Sequence, residues 1–145
     1  KLTKARDKVV KAREDLAALN VSVEKIIAMN PDYYLMTGSK RPGKGTAIIP
    51  FGYHVEQSDV THAFNALLGR QGVSSIPAVV AGHTGALYHH FYNNPYNIIA
   101  IETLSKIFYP TQFKDVDPLA DYHTLITRFT DLPDDKVILS YTPVK

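Results

Sequence analysis

The stretch Tyr88-His89-His90-Phe91-Tyr92-Asn93-Asn94-Pro95-Tyr96 gathers more chemistry than any other part of the chain. Its imidazoles offer neutral metal-ligand nitrogens or cationic donors, and its phenols offer flat faces that end in a hydroxyl. Thr84–Tyr88 before it reads as a strand. Asn94-Pro95 reads as a helix start, with asparagine as the cap and proline at the first helical position. Open α/β sheets place ligands between a strand end and a helix N-terminus, where free N–H groups favour an anion. The same residues also suit a structural turn whose histidines bond backbone carbonyls, and residue chemistry alone leaves both readings standing. Adjacent histidines on a strand point to opposite faces, so His89 and His90 are not expected to chelate one ion together. No four-ligand zinc spacing occurs, and the lack of cysteine excludes disulfides and thiolate sites. His90 is kept as a single metal ligand, completed by the bound compound itself.

Other candidates are more scattered. Gly52-Tyr53-His54 is a second aromatic–imidazole cluster, equally readable as a surface turn. Lys40, Arg41 and Lys44 lie in a loop, Ser39–Gly45, with two glycines and a proline, where they either attract an anionic ligand or are merely solvated. Arg70, just past a helix end, suits carbonyl capping as well as ligand contact. Glu24 falls in the first turn of a short helix, where a carboxylate complements the macrodipole. No Ser-His-Asp order, nucleotide-binding glycine fingerprint or HExxH sequence stands out, so catalysis has no positive support.

The elements that must position these residues follow from spacing. Leu2, Val9 and Leu16, with Ala5, Ala12 and Leu19, form a narrow apolar seam over a basic helix. Residues 1–20 are read as that helix, and 21–145 as an α/β lobe. Val23–Met29 is a short helix, closed by the turn Asn30-Pro31-Asp32. Tyr33–Thr37 is a strand ending at Gly38, and Ala47–Ile49 a short extended piece. Glu56–Leu68 has helical spacing through Val60, Phe64, Leu67 and Leu68. Ala78–Val80 and Thr84–Tyr88 flank a turn at Gly82, the second being the better strand. A helix through Ile98, Ile101, Leu104 and Phe108 stops before Pro110, and Asp117-Pro118 starts another through Tyr122, Ile126 and Phe129. Val137–Leu139 is one strand-like run. Helices alternating with short β runs make the chain α/β.

The formal charge of +2 over 145 residues gives no electrostatic case for nucleic acid. Six basic residues crowd the first thirteen positions, which is most simply a solvated face. No apolar run is long enough to cross a membrane as a helix, and no apolar leader follows the basic start.

Three stretches together resemble the second lobe of the substrate-binding proteins that serve ABC importers of ferric siderophores, haem, cobalamin, molybdate and related metal compounds. Val21–Leu35 is similar to the family's unit of helix, Asn/Lys-Pro-Asp and buried strand. Ile76–Leu87 looks like its second-lobe hairpin. His90-Phe91-Tyr92-Asn93-Asn94-Pro95-Tyr96-Asn97-Ile98, leading through Tyr109-Pro110 and Phe113 to Asp117-Pro118 and Arg128-Phe129, is the most specific.

The resemblance implies one Rossmann-like lobe of a two-lobe, helix-linked protein, with a short, mostly parallel sheet flanked by helices. It implies capture of a metal complex or metal oxyanion without enzymatic activity or an intrinsic cofactor, followed by delivery to a permease. The ligand-facing positions carried over are Tyr53, His54, Arg70, Tyr88, His89, His90, Tyr92 and Asn93. Glu24 takes the place of the family's permease-docking glutamate. The resemblance also implies a periplasmic or membrane-anchored extracytoplasmic setting, a leader and an N-terminal lobe lying outside this chain, and residues 1–20 as a remnant of the interlobe helix. Two alternatives remain beside it: a chelatase-like enzyme on the same fold, and a regulatory interaction module that uses the basic helix.

Overall fold

The computed structural model describes residues 22–41, 43 and 48–143. The expected helix over residues 1–20, Lys44 and Ala47 lie outside the described residues, and Ile48 and Ile49 of the expected extended piece belong to no strand. Ser22 opens helix α1 (Val23–Met29): its hydroxyl accepts from the Lys25 N–H at 3.3 Å. Asn30 ends the helix in the left-handed region, φ 47°, and its N–H bonds the Ile27 carbonyl. The chain then turns through Pro31 into β1 (Tyr34–Gly38).

Gly38 ends β1 where the backbone comes close to Ile49. A Cβ there would overlap the Ile49 carbonyl and sit 2.9 Å from Ile49 Cβ, so no larger residue fits without movement. The short strand β2 (Gly52–Tyr53) follows, then α2 (Gln57–Leu68). Val60, Ala63 and Phe64 are the buried stripe of α2, at the helical spacing read from the sequence.

After a 3₁₀ turn (Val73–Ser75), the chain makes one short helix, α3 (Pro77–Val80), where an extended run had been expected at Ala78–Val80. Pro77 supplies the helical φ at the first position, and the turn closes at Gly82, φ 72°, with the His83 N–H on the Ala78 carbonyl at 2.9 Å. The second run of that pair is a strand, β3 (Thr84–Tyr88). A 3₁₀ segment (His89–Asn93), α4 (Asn97–Phe108) and α5 (Pro118–Phe129) come next. Of the expected single run Val137–Leu139, the first two residues form β4 (Val137–Ile138), Leu139 is in neither strand, and β5 (Ser140–Tyr141) follows.

The main sheet has the order β1-β3-β5. β1 and β3 are parallel in register from Tyr34↔Thr84 to Gly38↔Tyr88, whereas β5 adds an antiparallel edge at Ala86↔Tyr141 and Leu87↔Ser140. β2 and β4 form a separate antiparallel pair. Leu139 sits at the switch between the two sheets, and its carbonyl accepts the Tyr88 N–H at 2.7 Å.

Period-2 alternation sends Met36, Ala86 and Tyr141 to one face of the main sheet, where they meet Ile49, Phe51, Val60 and Phe64. Gly85 turns to the other face, where an added Cβ would lie 3.3 Å from Ile107, a residue of α4. A second core joins Phe91, Ile99, Tyr122, Ile126, Val137 and Leu139. A third, Val73, Ile76 and Ala78, receives Val23, Ile26 and Ile27 of α1. The result is the expected α/β lobe, a small mixed sheet with helices on both faces.

Candidate ligand-binding site

Because β1 and β3 are parallel, their last residues, Gly38 and Tyr88, end at the same edge of the sheet. Whatever follows either strand must therefore share that edge. Lys40 follows β1: its N–H bonds the Phe51 carbonyl at 2.7 Å, and its Nζ donates to the His54 carbonyl at 3.0 Å. The His89–Asn93 segment follows β3, and Thr37 Oγ1 bridges to His89 Nδ1 at 3.1 Å. The two strand ends are thus tied together through side chains at the sheet's C-terminal edge.

His54 has φ 52°, a conformation that non-glycine residues seldom adopt. It is over-determined by its surroundings. Its N–H bonds the Lys136 carbonyl at 3.0 Å, its carbonyl holds Lys40, and its Nε2 lies 3.6 Å from Asp135 Oδ2. Strain of this kind collects where a side chain must be aimed. The adjoining residues Asp134 and Lys136 bond His123 and Glu56, so one short segment straps α5, β2 and the start of α2. Lys136 holds the Glu56 carboxyl below its ordinary range, first by its hydrogen bond and then by its charge.

The imidazoles and phenols after β3 form a row. Tyr88 and His90 lie edge to face at 5.3 Å, His90 and His89 at 5.4 Å, and His89 and Tyr92 at 5.4 Å. Tyr92 is 71% exposed, a large aromatic face left to solvent at the end of the row. His89 and His90 belong to a 3₁₀ helix and not to the strand assumed in the sequence reading. They still diverge, because successive residues of a 3₁₀ helix are about a third of a turn apart. Among the described residues no group of three or more His, Asp or Glu could hold a metal ion. His90 is thus part of no such group among the described residues.

Asn94 corrects the expected helix start. Its Nδ2 donates to the His90 carbonyl at 2.7 Å and its Oδ1 accepts the Tyr96 N–H at 2.9 Å. The amide is spent closing the 3₁₀ segment, and α4 begins at Asn97 with Tyr96 as its cap residue.

Tyr53 is half-buried and its hydroxyl bonds Tyr122 at 2.7 Å. Burial first, then the Tyr53 hydrogen bond, pushes the Tyr122 phenol well above its ordinary value, so it remains protonated. By spacing Tyr122 falls on the core stripe of its helix, and Tyr96 lies in the Tyr88–Tyr96 stretch without being among the ligand-facing positions carried over. The signal available was the count of tyrosines converging on one strand end.

Tyr53, His54 and the Tyr88–Asn93 segment are brought to one edge. Arg70 is elsewhere. α2 runs down the sheet from Val60 past Phe64, which lies edge to face with Tyr141, to Leu68, which shares the third core with Tyr34 at the start of β1. Arg70 follows at that opposite end, where its carbonyl accepts from Val73. Glu24 is also apart, exposed in the first turn of α1, its carboxyl held low by its own N–H and the Ser22 hydroxyl.

These features define an α/β lobe with an imidazole–phenol edge. No family model and no curated protein matches the chain. Among solved structures it is similar to the TroA-like periplasmic binding protein FepB from Veillonella parvula, with a TM-score of 0.75 and 27% identity. The match covers 84% of this chain and 35% of that protein, so the chain corresponds to about a third of its length.

Proposed function

We propose that this chain is the C-terminal lobe of a substrate-binding protein, which captures a small metal compound and hands it to the permease of an ABC importer. The observation that carries the reading is positional. Tyr53, His54, His89, His90 and Tyr92 lie beyond the C-terminal ends of two parallel strands, on a fold shared with a TroA-like periplasmic binding protein. In that arrangement a partner lobe closes over the edge, and the ligand is held from both sides. Imidazole nitrogens and phenolic hydroxyls would contact the outer atoms of a metal complex or a metal oxyanion, and Lys40 adds one cation. The metal compound is cargo, so no resident cofactor enters, and capture and release make no covalent bond. The setting that goes with this role is periplasmic or otherwise extracytoplasmic, with Glu24 as the contact for permease arginines.

The test is a ligand panel on the protein that carries both lobes, read by thermal shift and calorimetry. Molybdate, tungstate, ferric siderophores, haem, cobalamin and nickel-histidine would each be offered. One selective stabiliser is expected, since binding to the folded state raises stability by mass action. Silence across a folded sample would overturn the reading in favour of an interaction module.

A further inference from the structure

At the other end of the sheet, where β1 and β3 begin, lies a cleft of about 300 Å³ walled by Tyr33, His83, Lys106, Ile107, Pro110 and Thr142. Five-residue strands separate it from the imidazole edge by roughly 15 Å. We infer that this cleft is a second ligand site, which takes a small hydroxycarboxylate with an apolar side chain. It shares no residue with the imidazole edge and does not depend on the binding-lobe reading.

The imidazole sets one requirement. His83 Nδ1 lies 3.1 Å from the Asp32 carbonyl oxygen. A carbonyl oxygen only accepts, so Nδ1 carries the proton, and in the neutral ring Nε2 is left as an acceptor. The ring is also clamped. It stacks on Tyr33 at 5.2 Å with 24° between the planes, and Phe108 of α4 stands edge-on to Tyr33 at 4.8 Å. A pre-set acceptor on a held ring favours a ligand that brings a donor, because little ordering is left to be done on binding.

Charge sets the second requirement. Lys106, in the last turn of α4, donates to the Val116 carbonyl, which holds its ammonium in place and leaves two of its three N–H groups. No carboxylate lines this cleft, so one cation awaits one anion. A single carboxylate matches it, whereas a dianion would keep a charge uncompensated. The donor for His83 is then a hydroxyl, since an ammonium would face Lys106. Lys106, Ile107 and Thr142 also line an adjoining hollow of about 370 Å³, bounded by Pro118 and Leu119. There Asp117 has one carboxylate oxygen on the Leu119 and Ala120 N–H groups, and its charge turns the acid end of the ligand back towards His83. The apolar end is left to cover Leu119, which is 45% exposed. Mostly apolar walls with a few convergent polar groups are what small-molecule sites present.

The experiment offers the intact protein leucic acid, free leucine and isocaproic acid, which differ only in bearing a hydroxyl, an ammonium or a hydrogen beside the carboxylate. Calorimetry is expected to show leucic acid bound about tenfold more tightly than either of the others. Lys106→Gln keeps a donor for the Val116 carbonyl, removes the charge and should weaken leucic acid about tenfold. His83→Phe keeps a ring against Tyr33, removes the acceptor and should bring leucic acid down to the level of isocaproic acid without abolishing it. Proton–nitrogen correlation spectra of the ligand-free protein supply an independent reading, in which the His83 proton is expected on Nδ1. A proton on Nε2 would overturn the site. So would a preference for leucine, a folded protein that ignores all three probes at millimolar concentration, or leucic acid binding that both variants leave unchanged.

Discussion

Glu102, on α4, shows how a single side chain can be at odds with its surroundings. Among the described residues its enclosed Oε2 has no hydrogen-bond partner, and Asp121 of α5 lies close by. Burial first, and then the Asp121 charge, raises the Glu102 carboxyl above its ordinary range. A carboxyl with a raised folded-state pKa is at its most favourable when protonated. Its contribution is intact below the unfolded pKa and is lost as pH rises through the folded one. Glu102→Gln is therefore expected to stabilise the protein at pH 7, by less than about 1 kcal/mol given the solvent screening at a partly exposed site. The gain should shrink on acidification below the carboxylate range. Urea unfolding at neutral and acid pH checks both statements, and a loss of stability at neutral pH would contradict them. At this scale the sequence was legible where chemistry clusters along the chain: Tyr88 to Tyr92 and Tyr53-His54 do meet. It was not legible where a helix carries a residue away, as α2 does Arg70. Nor was it legible where a residue that lines a cavity also packs in the core, as with Tyr122, whose spacing from Ile126 fits both.

Elements repeat the lesson through two similar dipeptides. Asp117-Pro118 and Asn94-Pro95 carry the same signal for a helix start, and only the first obeys it. Asp117 Oδ1 accepts the N–H groups of Leu119 and Ala120 at 3.1 and 3.2 Å, with Pro118 inside the first turn of α5. Asn94 has an earlier claim on its side chain, because the His90 carbonyl near the start of the preceding 3₁₀ segment is within reach. Capping needs a free side chain, and a propensity rule does not see what came before it. The prediction at this scale concerns α5, which supplies Tyr122. Asp117→Ala should cost about 1 kcal/mol in denaturant unfolding, and Asp117→Asn should restore most of it. Equal losses in the two variants would mean that charge at the helix end matters more than the hydrogen bonds. The division of Val137–Tyr141 between two sheets was similarly hidden, since alternation marks a strand but not its partner.

At the scale of the molecule, the alternation of helices and strands sufficed for the α/β class, while the antiparallel β5 edge depended on contacts distant in sequence. What the lobe does as a body turns on which surfaces face a partner, and Glu24 offers a test that the ligand site does not share. It is exposed on α1, ionised at neutral pH with hydrogen bonds holding its carboxyl low, and remote from the Tyr53–Tyr92 edge. In the proposed docking role, a charge at the margin of an interface would change the rate and salt dependence of encounter more than a bound ligand. In cells that depend on the importer, Glu24→Gln is expected to reduce uptake severalfold while calorimetry on the isolated protein returns an unaltered ligand affinity. Raising ionic strength should slow association with the permease for the parent protein and have less effect on the variant. Should Glu24→Gln weaken the ligand itself, α1 would have to reach the cleft, and the docking role would pass to another surface.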